Sequence, residues 1–170
     1  GVAFVRHDVT EGELEWMDAA GVRAVRAFYE AVLTVAKRAA AATAVGTPAQ
    51  MGDHIGPLFD RIQYERVQAM IHKGIAEGAT LLAGGLGKPE GCEIGWYVKP
   101  TIFADVSNDM AIAQEEIFGP VLVIIPFENE DEAIAIANDT PYGLAAYVQT
   151  GSAARAERVS ARLRAGAIHV

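Results

Sequence analysis

Two adjacent carboxylates, Glu115 and Glu116, are followed two residues later by an aromatic residue, Phe118, and then by a Gly-Pro pair. The run that follows, 121–127, is short, apolar and rich in β-branched residues, which predicts a buried strand rather than a helix. Because a Gly-Pro step ends any helix before it, Glu116 and Phe118 should lie on an irregular segment at the edge of a sheet. Ligands of open α/β sheets bind at such edges, so this segment is the first candidate for a binding site.

The other residues of chemical interest give weaker signals. Cys92, the single cysteine, lies in a predicted loop with no histidine close in sequence, and it is interpreted as an ordinary loop thiol. The glycine-rich stretch 84–89 matches neither phosphate-binding fingerprint, because Glu90 and Pro89 stand where a glycine and a Ser/Thr are required. A turn between two strands is the better interpretation of this stretch. The histidines are scattered without metal-ligand spacing, at His7, His54, His72 and His169.

Composition describes an ordinary globular chain. Its 170 residues are 51% hydrophobic and 21% charged, enough to bury a core. A net charge of −8 argues against nucleic acid and anionic membrane surfaces as partners, and no apolar run approaches the roughly 20 residues of a membrane span. The N-terminus lacks a signal-peptide layout, and a single cysteine excludes an internal disulfide. These features predict a cytoplasmic location without nucleic-acid or membrane partners.

Hydrophobic periodicity and helix-capping signals predict alternating helices and strands from residue 23 onward. Helices are predicted over 23–43, 59–77, 110–116, 129–137 and 152–166, and strands over 80–83, 96–104, 121–127, 144–149 and 167–170. The second helix should bury Ile62, Val67, Met70, Ile71 and Ile75. Asn129 and Glu132 predict a capping box for the fourth helix. This alternation implies an α/β fold, a mostly parallel sheet with helices on both faces. Residues 1–22 show no lasting periodicity and form an unassigned N-terminal segment.

The octapeptide 114–121 resembles a signature of the NAD(P)-dependent aldehyde dehydrogenases, where the segment lies beside the bound cofactor. Further motifs follow in the order of that family: Thr47-Pro48, Gly56-Pro57-Leu58, Gly74 with Glu77-Gly78-Ala79, Leu82-Ala83-Gly84-Gly85, Pro100-Thr101-Ile102-Phe103 and Tyr142-Gly143-Leu144-Ala145-Ala146. The resemblance is strong over about 45–170, loose over 23–44 and absent before. It implies that 23–170 form part of the α/β catalytic domain of such an enzyme.

The resemblance also implies roles for two side chains. In that family the second glutamate of the signature binds the hydroxyls of the nicotinamide ribose, and the aromatic two residues later packs near the nicotinamide. These roles fall on Glu116 and Phe118, with NAD or NADP as cofactor. Glu115 is interpreted as solvated, as most carboxylates at the end of a short helix are. Phe118, which alone would more often be a core residue, should be mostly buried.

Catalysis in that family needs a cysteine thiolate that attacks the aldehyde before hydride leaves to the nicotinamide. The window at the family's nucleophile position, 14–18, contains no cysteine, and Cys92 lies far from it. No catalytic residue is therefore assigned. The chain is interpreted as a portion of an aldehyde dehydrogenase that is inactive alone, with a second copy or a missing domain as partner. Two alternatives stay open, a non-catalytic self-association or protein-interaction module and a small enzyme that uses Cys92.

Overall fold

The computed structural model describes residues 2–4 and 19–170, with side chains from Tyr29 onward. The helices are α1 (Ala19–Ala42), α2 (Arg61–Ala76), α3 (Ala111–Gln114), α4 (Glu130–Asn138) and α5 (Ala153–Ser160). The strands are β1 (Val2–Phe4), β2 (Thr80–Ala83), β3 (Thr101–Ala104), β4 (Val121–Ile125), β5 (Ala145–Tyr147) and β6 (Ala167–His169). Of the unassigned segment 1–22, β1 and the first residues of α1 are described. The window 14–18 lies outside the described residues.

Two compact units divide the chain. One contains β1 and Tyr29–Pro126, and its four-stranded sheet has the order β1-β4-β3-β2. In this sheet β4 pairs in parallel with β1 and β3, whereas β2 pairs antiparallel with β3. The other unit contains Phe127–Val170 and the part of α1 before Tyr29, and β5 and β6 form its parallel two-stranded sheet. Parallel pairing therefore predominates, which confirms the predicted α/β class with a mostly parallel sheet.

The core of the first unit lies between α2 and strands β3 and β4. All four residues of β3 are buried, and four of the five residues of β4 are, as expected for strands without a solvent face. The buried side of α2 consists of Val67, Met70, Ile71 and Gly74. The prediction that Ile62 is buried was wrong, because five residues place it about 140° around the helix from Val67. Ile75, in the last turn of α2, is exposed as well.

The stretch 84–89, predicted as a turn between two strands, is the start of a longer connection, 84–100, between the antiparallel strands β2 and β3. Gly84 has a φ of +76°, and a Cβ there would overlap the Pro100 carbonyl and lie 2.6 Å from the Thr101 hydroxyl oxygen. That hydroxyl accepts the Gly85 N–H at 3.0 Å and donates to the Lys99 carbonyl at 2.8 Å. The strand predicted over 96–104 begins only at Thr101, so the apolar residues before it mark burial rather than strand pairing.

Other predicted elements are shorter than the sequence suggested. The helix predicted over 110–116 ends at Gln114, because Glu115 is already extended, and the helix predicted from Ser152 ends at Ser160. The strand after Pro120 ends at Ile125, and the next residue is a proline. At α4, Asn129 Oδ1 accepts the Glu132 N–H as predicted. The Glu132 carboxylate accepts the Glu128 N–H rather than that of Asn129, so the reciprocal half of the capping box is displaced by one residue.

Tyr29 on α1 is hydrogen-bonded to Asp105, the residue that follows β3. Its hydroxyl donates to Asp105 Oδ1 at 3.1 Å and accepts the Asp105 N–H at 2.9 Å. Asp105 has a φ of +53°, so these two bonds hold a backbone conformation that side-chain-bearing residues seldom adopt. Burial, with the Asp105 carboxylate beside it, raises the pKa of Tyr29 to about 12.

We expect Gly84→Ala to destabilise the protein much more than Gly78→Ala. Both glycines have positive φ, but a Cβ at Gly78 meets nothing within 4 Å. Gly78→Ala should therefore cost only the left-handed conformation, about 1–2 kcal/mol, whereas Gly84→Ala adds about 1–3 kcal/mol of overlap with backbone. Urea unfolding measures both free energies. Equal losses would contradict the close approach of Gly84 to β3.

We expect the Tyr29 contact to stabilise the folded protein less as the pH rises above 10. Because the pKa of Tyr29 is raised from 10.0 to about 12 on folding, its stabilisation is complete below pH 10 and is lost as the pH rises towards 12. Tyr29→Phe should lower the free energy of unfolding by about 1 kcal/mol at pH 8, because the Asp105 N–H loses its acceptor. The difference between wild type and Tyr29→Phe, measured by urea unfolding, should shrink between pH 10 and pH 12. A constant difference over that range would show that Tyr29 titrates normally.

Candidate functional site

The candidate segment, Glu115–Pro120, joins α3 to the N-terminal end of β4. Its last residue is held by the sheet, since the Thr101 N–H of β3 donates to the Pro120 carbonyl at 2.9 Å. The sequence prediction placed a site here by analogy with ligand sites at the carboxyl ends of strands. The structure places the segment at the amino end of two parallel strands, so that general rule does not account for it. Its own contacts must do so.

The chain from α3 through the segment runs along α2 in the opposite direction. Early residues therefore meet the C-terminal end of α2, and later residues meet its N-terminal end. At the C-terminal end of α2, the Ala111 N–H donates to Glu77 Oε2 at 2.9 Å, and Lys73 Nζ lies 3.7 Å from Glu115 Oε1. Nearer the N-terminal end, Arg66 Nη2 donates to the Glu116 carbonyl at 3.2 Å. Gln63 Nε2 donates to the carbonyls of Ile117 at 3.0 Å and Phe118 at 2.9 Å. These contacts fix the backbone of the segment on one helix.

Gln63 makes the most demanding of these contacts. Its own N–H donates to the carboxylate of Asp60, the N-cap of α2, at 2.8 Å, which seats it in the first turn. Its side-chain amide then uses Nε2 to reach two consecutive carbonyl oxygens, those of Ile117 and Phe118. Consecutive carbonyls point to opposite sides in extended chain and to the same side in helical conformations. The φ of Phe118 is +58°, which places this residue in the left-handed region.

The conformation of Phe118 directs its ring outward. Ile117 takes the buried position in the segment, and Gly119 lies so close to Val67 of α2 that a Cβ would come within 2.8 Å of Val67 Cγ2. The Phe118 side chain is 70% exposed, so the prediction that it is mostly buried was wrong. A left-handed conformation costs a non-glycine residue about 1–2 kcal/mol. The two Gln63 hydrogen bonds, each contributing about 1 kcal/mol net, offset that cost.

The two adjacent glutamates have different surroundings. Glu115 is exposed, as predicted, and its pairing with Lys73 is an exposed one, contributing no more than about 1 kcal/mol. The Glu116 side chain is also exposed, while its backbone carbonyl is held by Arg66. The structure therefore brings both predicted site residues, Glu116 and Phe118, to one short, anchored segment whose side chains reach solvent.

The remaining candidates do not assemble into a site. Cys92 is buried in the loop between β2 and β3, where its N–H donates to the Pro89 carbonyl. Among the side chains that the structure describes, no group of three His, Cys, Asp or Glu residues could hold a metal ion. No helix within residues 19–170 is long and apolar enough to cross a membrane.

Sequence reasoning missed the residues of α2 that hold the segment. Gln63, Arg66 and Lys73 of α2 contact the segment, and Glu77 at the C-cap contacts α3. These four positions follow steps of three, seven and four residues, which places them along one side of a helix. This periodicity was readable in the sequence. A polar stripe of this kind is usually a solvated face, however, and nothing in the sequence indicated that another segment covers it.

Comparisons with known proteins concern the chain as a whole. A family model described as the aldehyde dehydrogenase family matches residues 21–170. The 3-succinoylsemialdehyde-pyridine dehydrogenase of a Pseudomonas species is 54% identical over 126 residues, which are 74% of this chain and 26% of that protein. A crystal structure of an aldehyde dehydrogenase from Bartonella henselae superposes with a TM-score of 0.83 at 49% identity, over 85% of this chain and 30% of that one. The Mycobacterium tuberculosis aldehyde dehydrogenase complexed with NAD⁺ gives 0.81 at 46% identity, with the same coverages.

These matches confirm the predicted family and the predicted fold. The family match starts at residue 21 and so includes α1 from Gly21 onward, where the motifs alone gave only a loose resemblance. The chain spans between a quarter and a third of the length of these relatives. On the match over residues 21–170 and the agreement with solved structures, this chain belongs to the aldehyde dehydrogenase family.

Proposed function

We propose that Glu115–Pro120 forms the nicotinamide-facing wall of the cofactor site of an NAD(P)-dependent aldehyde dehydrogenase, within a catalytic domain that includes residues 23–170. In this proposal the Glu116 carboxylate accepts hydrogen bonds from the hydroxyls of the nicotinamide ribose, and the Phe118 ring packs near the nicotinamide. The observation that carries the proposal is Phe118 itself, a large exposed ring on a left-handed backbone that is anchored from beneath.

Folding alone does not explain this arrangement of Phe118. A phenylalanine gains stability by burial, yet this ring is mostly in solvent, and its φ of +58° adds a cost that glycine would avoid. Residues held in such unfavourable conformations cluster at ligand-binding sites, where the surrounding structure enforces them. An exposed aromatic ring held in this way is suited to a flat, partly apolar ligand.

The chemistry of the segment fits the nicotinamide half of the cofactor. An ionised carboxylate only accepts hydrogen bonds and has room for two donors, which suits the paired hydroxyls of a ribose. A phenyl ring offers a face or an edge to a flat heterocycle. The backbone contacts from Gln63 and Arg66 hold the segment before a ligand arrives, which lowers the conformational entropy lost on binding. NAD and NADP share this half, so both are proposed as cofactors. When bound, the cofactor supplies the acceptor for the hydride.

Aldehyde oxidation also needs a thiolate, and the described chain does not offer one beside this segment. Cys92 is the only thiol in the sequence and is buried in the β2–β3 loop. We therefore assign it no part in the reaction. The 170 residues are proposed to contribute cofactor contacts, without oxidising an aldehyde on their own.

A second candidate function, association with further protein, is favoured by the unit that contains β5 and β6. A parallel pair of strands is normally buried between layers. Here Leu144, which precedes β5, is 89% exposed, and Tyr147 on β5 is 76% exposed. The Tyr147 ring stacks on His169 of β6, with ring centroids 4.8 Å apart. A second copy of the chain or another domain of a longer dehydrogenase would cover these side chains.

We expect Glu116→Ala to weaken NAD⁺ binding by about 10- to 100-fold, because it removes charge-assisted hydrogen bonds contributing about 1.5–3 kcal/mol. Glu115→Ala is the matched control, since its carboxylate meets only Lys73 at the surface and its loss should change affinity less than about threefold. Isothermal titration calorimetry of the purified chain measures both, and NADP⁺ should follow the same order.

Equal losses in the two variants would contradict the role of Glu116. If wild type binds no NAD⁺ at millimolar concentration and the chain forms concentration-dependent oligomers, the association function is the better supported. A chain that binds NAD⁺ and loses binding only in Glu116→Ala supports the cofactor role.

We expect substitutions of Phe118 to separate stability from binding. Phe118→Gly should raise the free energy of unfolding by about 1 kcal/mol, because glycine adopts a φ of +58° without strain, while NAD⁺ affinity falls. Phe118→Ala should lose affinity equally but gain no stability, since alanine keeps the strain. Urea unfolding and calorimetry on the same samples test this. A Phe118→Gly variant no more stable than Phe118→Ala would contradict the left-handed conformation, and a Phe118→Ala variant much less stable than wild type would show that the ring contributes to folding.

A further inference from the structure

We infer that Gln63 is a positioning residue, whose side-chain amide selects the one backbone conformation in which Phe118 and Glu116 can meet a nicotinamide nucleotide. This inference rests on the proposed function of the segment and extends it to a residue of α2 that carries no reacting group. The observation behind it is that one nitrogen, Gln63 Nε2, lies within hydrogen-bond distance of two consecutive carbonyl oxygens.

The two acceptors report on the conformation of Phe118. The carbonyls of Ile117 and Phe118 belong to the peptide groups on either side of the Phe118 Cα, so the φ and ψ of Phe118 set their relative direction. They converge on one donor only when this residue is helical in type, and here it is left-handed. An extended Phe118 would turn one carbonyl away from Gln63. The amide therefore favours the observed conformation over the extended one.

The neighbouring residues determine the hand of that conformation. Gly119 follows with its Cα against Val67, and Ile117 precedes with its side chain in the core. The segment is thus fixed on both sides of Phe118 by apolar contacts, and at Phe118 itself by Gln63. Arg66 adds a single bond, to the carbonyl of Glu116, at the exposed surface.

The contact requires a donor, so it can be tested by replacing the NH2 group of the amide with an oxygen. Glutamate has the shape of glutamine, but its ionised carboxylate carries no hydrogen and would face two carbonyl oxygens. Gln63→Glu should therefore release the segment. It should leave α2 formed, because an acidic residue in the first turn suits the helix dipole. The N-cap hydrogen bond also stays, since in it the backbone N–H of residue 63 donates to the Asp60 carboxylate.

Chymotrypsin offers a direct measure, because it cleaves after exposed phenylalanine only where the backbone can enter its active site. We expect Gln63→Glu to raise the rate of cleavage after Phe118 roughly 30-fold, because two hydrogen bonds are lost. Cleavage after Phe59, which is 96% exposed and precedes the N-cap of α2, serves as the internal reference and should not change.

Two further variants distinguish loss of the donor from general damage. Gln63→Lys, which restores a donor of similar reach, should return cleavage after Phe118 towards the wild-type rate. Gln68→Glu makes the same substitution on the same helix where the glutamine oxygen is the acceptor, from the Gly87 N–H at 2.7 Å. A carboxylate at residue 68 keeps that bond but places charge where, among the described residues, Gln68 Nε2 is buried without a hydrogen-bond partner. This variant therefore controls for charge buried on α2, and cleavage after Phe118 should stay well below that in Gln63→Glu.

The outcomes separate this inference from the function on which it rests. Unchanged cleavage after Phe118 in Gln63→Glu, or an equal rise in Gln68→Glu, would overturn the positioning role. A rise that is much larger in Gln63→Glu than in Gln68→Glu, together with a loss of NAD⁺ affinity of at least tenfold while Glu116 is intact, supports it. If the rise occurs but NAD⁺ affinity depends on neither Gln63 nor Glu116, Gln63 still holds the segment, and the proposed cofactor site is the part that fails.

Discussion

The pair of hydrogen bonds from Gln63 to the carbonyls of Ile117 and Phe118 is the constraint on which the candidate site depends. A left-handed phenylalanine and an exposed ring each oppose folding, so the segment needs an external contact to hold it. Gln63 supplies that contact from a position that is itself fixed by the N-cap of α2. The hydrogen bonds from Gln63 thereby stabilise a conformation in which the Phe118 ring and the Glu116 carboxylate are exposed to solvent.

This support comes from α2, which buries one of its sides in the core and holds the segment with another. One side carries Val67, Met70 and Ile71, which are buried in the core of the first unit. The other carries polar side chains that meet backbone atoms of the chain entering β4. Because both sides belong to one rigid helix, the segment is held in a fixed position relative to the sheet. Helices in general are suited to this role, since three- and four-residue spacings align contacts over several turns.

Much of the fold was predictable from the sequence, whereas the geometry of the site was not. The strand at Thr80–Ala83 and the N-cap at Asn129 were predicted correctly, because β-propensity, turn residues and capping act over a few neighbouring residues. The signature around Glu116 indicated the family through residue types and order alone. The exposure of Phe118 was missed, because its left-handed conformation depends on Gln63, which lies 55 residues away in the sequence. Apolar patterning also overstated the strand before Thr101, since burial and strand pairing share the same signal.

In the proposed site the Phe118 ring faces the nicotinamide. Nuclear Overhauser spectroscopy on the chain with labelled phenylalanine and saturating NAD⁺ tests it most directly, because such transfer needs protons within about 5 Å, the range of ring contacts. We expect cross-peaks from the nicotinamide ring protons to Phe118 and none to Phe59, although Phe59 is the more exposed of the two residues. Bound NAD⁺ whose nicotinamide protons show no transfer to Phe118, or the same transfer to Phe59, would contradict it.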